Sequence, residues 1–431
     1  MANLEERRYI SRLSHRFGFG PRPGEFESLL DQGPDAARSI ILARGPDNTV
    51  DIAARLGIKD LGPQPKANSI DVVPYAQEKR RQFRALSLWW LDEMVTQSNP
   101  IRERMTWFWH GHWATSYQKV DDPLVMLKQN QTLRKNALGN FSQMAAEMVV
   151  DGALIYWLDG QTNTLKAPNE NLSRELMELF TLGVNRYSEE DVKEVAKALT
   201  GYRINKSSGA VTFVPKLHYQ KPITFLGMTG VLDAPAIARY LVERDDCATF
   251  ISERMWYRFI SSRQPLSTDL IYAFGNREIA PLVDALSRHK AMWDPQFSQV
   301  KSPVEWLVSA LKALSITPST TDNPDQLLNT LDALGQRPFL PPNVGGWPAD
   351  EAWLSTASAQ YRISIAQVLV KKGVITPISS LSNKSRTEAL ANLLGVASWS
   401  DRTRLALEGA SSDPARMIVL GLSSPEFVVN A

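Results

Sequence analysis

The chain lacks most of the features that announce a function. Cys247 is the only cysteine among 431 residues, which excludes an internal disulfide and any cysteine-held metal cluster and leaves thiol chemistry without a basis. No window reaches the roughly 18 consecutive apolar residues that a membrane span needs. Charge of one sign is not in excess either. The 48 Lys and Arg stand against 46 Asp and Glu, a formal net charge of +2, so neither nucleic acid nor an anionic membrane surface is implied as a partner. The first ten residues are charged and have no apolar run behind them, so no signal peptide is read; the sequence as given would be cytoplasmic, and its localisation is left open.

What is present is a soluble, globular composition with 43% hydrophobic and 22% charged residues. The helical period dominates its patterning, and the expected fold is mainly α, one large helical domain or helical array over 1–431. Short helices are expected up to Gly18 and from Pro23 to Leu30. Residues 47–73, rich in Pro, Gly and Asp, read as an irregular loop. A long amphipathic helix follows from Gln77 to Val95, and the next starts behind Asn99-Pro100. Pro123–Leu138 and Phe141–Leu158 read as one helix each, the second closed by Asp159-Gly160. Ser188-Glu-Glu-Asp191 is a capping box for a helix ending at Thr200-Gly201. Residues 203–227 change to a β-hairpin or flap. Helices return at Ala236–Leu241, Phe250–Ile260, Asp269–Arg288 and Pro303–Leu314. Residues 335–353, with four prolines and three glycines between Gly335 and Pro348, form an ordered irregular loop of a length that is usually functional.

Three stretches carry the candidate chemistry. Pro168–Thr181 is a helix capped by Asn169 or Asn171, with Leu172, Leu176, Leu179 and Phe180 as its apolar stripe. Glu170, Asn171, Arg174, Glu175 and Glu178 gather opposite. Glu170–Arg174 and Arg174–Glu178 are both four apart, so one guanidinium can bridge two carboxylates and leave Glu175 for another partner. The plain alternative is a solvated surface face. The second stretch, Trp107-Phe-Trp-His110-Gly-His112-Trp113, poses a geometric question. Continued as a helix it sets His110 and His112 about 200° apart. A turn at Gly111 brings them to one side, as a metal or general-base site requires. The alternative is a pair of hydrogen-bonded core histidines beside tryptophan N–H groups. Trp109 and Trp113 could floor a sugar-binding cleft. The third is the 335–353 loop, whose Gln336, Asn343 and Trp347 would contact a ligand or the core. His218, on the flap, is the remaining candidate.

Several of these stretches resemble a bacterial family, domain of unknown function 1800. Arg104–Ser116 resembles its Phe-Trp-His-Asn-His-Phe motif, and Asn169–Gly183 its Asn-Glu-Asn-x-x-Arg-Glu-Leu core. Tyr187–Gly201 is similar to its Tyr-x-x-x-Asp-Val and Leu-Thr-Gly continuation. Leu334–Trp353 is similar to its Gly-Gln-x-Pro-Phe and Gly-Trp-Pro segment, and Ser424–Phe427 to its ending. Three positions depart from the pattern: Gly111 stands where the family commonly has Asn, Tyr219 where it has Asp, and Phe180 where it often has His. The resemblance implies a largely helical bacterial protein, often exported, with a sulfatase-like partner protein, and brings no settled activity with it.

Two classes of function are open at this point. In the first the protein is a hydrolase or lyase acting on a glycan-like substrate. Glu175 and Glu178 supply the acid/base carboxylates, with Glu170 beside them, Arg174 orients them, and His110, His112 and His218 assist. Trp109, Trp113, Asn169, Asn171, Gln336, Asn343 and Trp347 hold the substrate. No cofactor is implied by these residues. In a metal-dependent variant, a divalent ion sits on His110, His112, His218 and Glu175. In the second class the Glu/Arg/His network is structural, in a non-catalytic binding or assembly protein.

Overall fold

A computed structural model describes residues 3–45, 51–205 and 208–430. Among these, 24 α-helices stand against three antiparallel strand pairs, so the protein is mainly α. No helix among the described residues is long and apolar enough to cross a membrane.

Apolar side chains assemble into two clusters. One is built on Phe17, Trp109, Trp113, Phe141 and Phe180. The other is built on Trp90, Trp107, Trp306, Phe339 and Trp347. The helix Pro100–His112 serves both, and is buried at every position except Arg102 and Gly111. A helix that presents apolar groups all round has no solvent face, and its few charges must be paired where they lie. Accordingly, Glu103 accepts from Trp90 Nε1 (3.1 Å) and is ion-paired to Arg134, while Arg104 pairs with Glu305 at 2.5 Å.

The helical period finds the main elements, with local corrections. The long helix runs Val72–Thr96 and the first helix Leu4–Arg16. The expected loop at 47–73 contains a short helix, Ile52–Leu56, because the Asp51 carboxylate caps Ala54 N; residues 46–50 lie outside the described residues. Phe141–Leu158 is two helices, Phe141–Met148 and Gly152–Trp157. Asp151 interrupts the apolar run by turning its carboxylate onto Leu154 N (3.0 Å), an N-cap that starts a new helix. Asp269–Arg288 likewise divides into Asp269–Ala273 and Ile279–Arg288, with Arg277 at φ +59° between them. The flap is two hairpins. Tyr202–Ile204 pairs with Val211–Phe213, and Ile223–Phe225 with Met228–Gly230. A third pair, Gln299–Val300 with Val429–Asn430, joins segments far apart in sequence, which local patterning cannot signal.

Beyond its Gly335 start, the 335–353 loop follows an irregular path to a single 3₁₀ turn at Asp350–Trp353. It is tied down at several points. His110 Nε2 accepts from Phe339 N (3.1 Å), the Phe339 carbonyl accepts from Tyr117 N (2.8 Å), and Gln336 Oε1 accepts from Val304 N (2.9 Å). Gly346 (φ +80°) lies against the helix, and a Cβ there would sit 2.2 Å from the Gly111 carbonyl oxygen. Only glycine permits that approach. It sets the next residue, Trp347, stacked on Trp107 with ring centroids 5.0 Å apart, a contact of about 0.5–1.5 kcal/mol beyond its buried area.

Candidate functional site

The acidic helix forms as an α-helix over Glu170–Glu175, capped by the Asn169 side chain on Asn171 N, and passes into a π-helical turn over Leu176–Thr181. Its charges do not make the expected ladder. Arg174 turns away from Glu178 and grips Glu189 through both terminal nitrogens (2.6 and 2.8 Å), with Glu170 at 3.5 Å. Glu178 instead accepts from the Tyr187 hydroxyl, and desolvation together with that hydrogen bond pushes the phenol up to about 12. Glu175, half-buried, has its carboxyl raised by desolvation and by Glu178. Asn171 Nδ2 donates to the Leu158 carbonyl and Asn169 Nδ2 to that of Asp159, so both amides fasten the helix start to the preceding loop.

The two imidazoles part company. The helix continues through Gly111, so the turn that would have brought His110 and His112 together does not occur. His110 lies in the second apolar cluster, 5.5 Å from Trp347, and its hydrogen bond anchors the 335–353 loop. His112 lies among Phe108, Trp109, Trp113 and Phe180, its Nε2 3.0 Å from the Phe180 carbonyl. Burial lowers both to about 3, with Arg254 adding to the effect on His112. His218 belongs to neither, since its Nδ1 pairs with the Thr200 carbonyl (3.0 Å) under the first hairpin. Among the described residues no group of three or more His, Cys, Asp or Glu side chains could hold a metal ion. The His110, His112, His218 and Glu175 set is therefore not gathered.

Trp109 and Trp113 are fully buried, on Phe141 and Phe180 respectively, and floor no cleft. Asn343 is exposed and closes a local turn on Gly345 N (2.9 Å).

Three of the expected residues do meet. His112, Gln336 and Trp347 line a narrow cleft of about 50 Å³ between Pro100–His112, the helix Asp245–Phe259 and the 335–353 loop. None of Glu170, Arg174, Glu175 and Glu178 lines it. The acidic helix meets its lining at His112, through the ring and the carbonyl of Phe180. Carbonyls in the last turn of a helix have no partner within it, and that of Phe180 takes the imidazole N–H of His112.

Most of the cleft's charge was not anticipated. Arg104, Arg254 and Arg258 line it, with Glu305 and Asp350. Both carboxylates are engaged: Glu305 holds Arg104 and accepts from Ser302 N (2.8 Å), and Asp350 accepts from Val300 N (2.8 Å) and the Ser262 hydroxyl. Arg258 donates to the Trp347 and Pro348 carbonyls, which hold the loop but neutralise nothing. Arg254 makes no hydrogen bond among the described residues, and its Nε is buried without a partner. Neither Arg254 nor Arg258 has a carboxylate within 4.0 Å among those residues. Desolvation lowers both, Arg258 to about 10, where Arg254 adds repulsion. The indole N–H groups of Trp347 and Trp353 are also buried without acceptors. One signal in the sequence could have found this: Arg254 and Arg258 are four apart on an aromatic helix, a like-charge spacing that costs stability unless something between them is negative.

The family described as "Protein of unknown function (DUF1800)" matches residues 12–429, and the chain belongs to it. No curated protein and no solved structure matches.

Proposed function

We propose that this DUF1800 member binds a small oxyanion group, a carboxylate, phosphate or sulfate on a larger ligand, in the cleft between Arg254, Arg258 and Trp347. The observation that carries this reading is the excess of buried donors. Two guanidinium groups without carboxylates and two indole N–H groups without acceptors line one hollow. Unpaired buried polar groups are costly to maintain, and an oxyanion would satisfy the three unpartnered donors, Arg254 Nε and the two indole N–H groups, and set negative charge beside Arg258, whose terminal nitrogens are held by carbonyls. The volume supports a group-sized occupant. At about 50 Å³ the cleft is well below the ~300–1,000 Å³ of sites that enclose a whole ligand, so a larger molecule would insert its charged end and leave the rest outside.

A second reading, hydrolysis or elimination on a glycan-like substrate by Glu175 and Glu178, is favoured by the raised carboxyl of Glu175 beside Glu178. Calorimetric titration with acetate, phosphate and sulfate separates the two. The cleft reading expects binding that Arg254→Gln weakens by about tenfold or more, the worth of a charge-assisted hydrogen bond, while Glu175→Gln leaves it unchanged. No binding of any of the three, or full affinity in a folded Arg254→Gln, overturns it. Turnover of a glycan that Glu175→Gln abolishes would favour the second.

A further inference from the structure

Resting on the oxyanion reading, we infer that the cleft selects an oxyanion that carries its own O–H donor, hydrogen phosphate or a carboxylate with a hydroxyl beside it, over anions without one such as sulfate. Of the unpartnered side-chain atoms on the cleft's lining residues, one is an acceptor and three are donors. A carbonyl oxygen can only accept, so the 3.0 Å contact between His112 Nε2 and the Phe180 carbonyl requires the imidazole proton to be on Nε2. In the neutral ring Nδ1 then holds a lone pair and no hydrogen. That atom is buried and has no partner among the described residues. A second proton there is opposed by desolvation and by the Arg254 guanidinium.

The other groups awaiting partners have the opposite polarity. Arg254 Nε, Trp347 Nε1 and Trp353 Nε1 are donors without acceptors, and Arg258, held on two carbonyls, adds positive charge with no carboxylate of its own. The two carboxylates of the cleft are engaged already. An anion with an O–H group satisfies both polarities, its charged oxygens meeting the guanidinium and indole donors and its hydroxyl meeting Nδ1. An anion without a proton sets a lone pair against a lone pair at His112 or leaves Nδ1 unpaired. A site built around a specific hydrogen bond rejects the analogue that lacks it far more strongly than a shape mismatch does.

Hydrogen phosphate and sulfate are a matched test, since both are tetrahedral dianions of similar size and only one has a proton. Glycolate and acetate are the corresponding carboxylate pair. Calorimetric titration at mildly alkaline pH should show at least about tenfold tighter binding of phosphate over sulfate, of glycolate over acetate, or of both, and which pair discriminates tells the two sources apart. In His112→Phe the preference should disappear while the weaker member of each pair still binds. Should that variant not fold, ¹⁵N spectra of the wild-type histidines decide: the His112 Nδ1 resonance should move with the hydroxyl-bearing anion and stay with its partner. Equal affinities within both pairs, a preference surviving in folded His112→Phe, or a proton found on Nδ1 in the free protein would overturn the selectivity and leave oxyanion binding standing. Failure of all four anions to bind would overturn both.

Discussion

The acidic helix and the arginine cleft are both rich in charge, and they differ in what surrounds it. On the helix, Arg174 and Glu189 pair at the surface, with side chains 33% and 68% exposed, where water screens the attraction and the pair is worth little. In the cleft the charges are desolvated, and positive groups outnumber the carboxylates that could neutralise them. Charge on a solvated helix face describes a surface, whereas uncompensated charge in a hollow calls for a ligand. The acidic helix still matters to the cleft, through the Phe180 carbonyl that fixes the His112 tautomer.

The largest break in this comparison should come from Glu305→Gln. It strips Arg104 of its carboxylate where the guanidinium side chain is only 5% exposed. Leaving such a charge uncompensated costs about 3 kcal/mol or more, to be read as a loss of unfolding free energy in denaturant titration.

A middle effect should follow from acid. His110 and His112 titrate near 3 in the fold, against about 6.5 when unfolded. Below about pH 6.5 the unfolded chain therefore takes up protons that the folded one refuses, and stability falls with pH, by about 2 kcal/mol per imidazole at pH 5. Half-buried Asp151 acts with the opposite sign. Its carboxyl is raised to about 6 by desolvation, so the folded state gains a proton first and this group offsets part of the loss. Asp151→Asn should accordingly steepen the decline of melting temperature between pH 6 and 4, whatever it does to the midpoint at neutral pH.

The smallest effect belongs to the acidic helix. Glu189→Ala removes the bidentate partner of Arg174 and should leave the melting temperature without a measurable change, with the oxyanion affinities of the cleft untouched. A large loss from Glu189→Ala would erase the distinction between the two regions.

How much was legible follows from the range of the forces involved. The helices at Val72–Thr96 and Glu189–Ala198 show in the sequence because periodicity and capping act within a few residues. Asp151 misleads because a polar residue in an apolar run reads as a surface position until its side chain is seen capping a new helix. Gly111 misleads in the other direction. It permits a turn, yet the helix continues across it and its bare backbone receives Gly346 from a loop more than two hundred residues later. Of the candidate residues, His112, Gln336 and Trp347 reached one cleft, whereas Arg254 and Arg258 were passed over, because lacking a partner is a property of position and not of residue type.

By itself the sequence determined a helical protein, the family it belongs to, a capped acidic helix and a fixed proline-rich loop, since backbone propensity, capping and amphipathic spacing are local. Tertiary structure alone decided that the two imidazoles face different cores, that Arg174 pairs with Glu189, and that two arginines end in a hollow whose carboxylates are engaged elsewhere. Each of these depends on which distant group supplies the dielectric, the acceptor or the opposing charge, and only the folded chain brings those groups within reach.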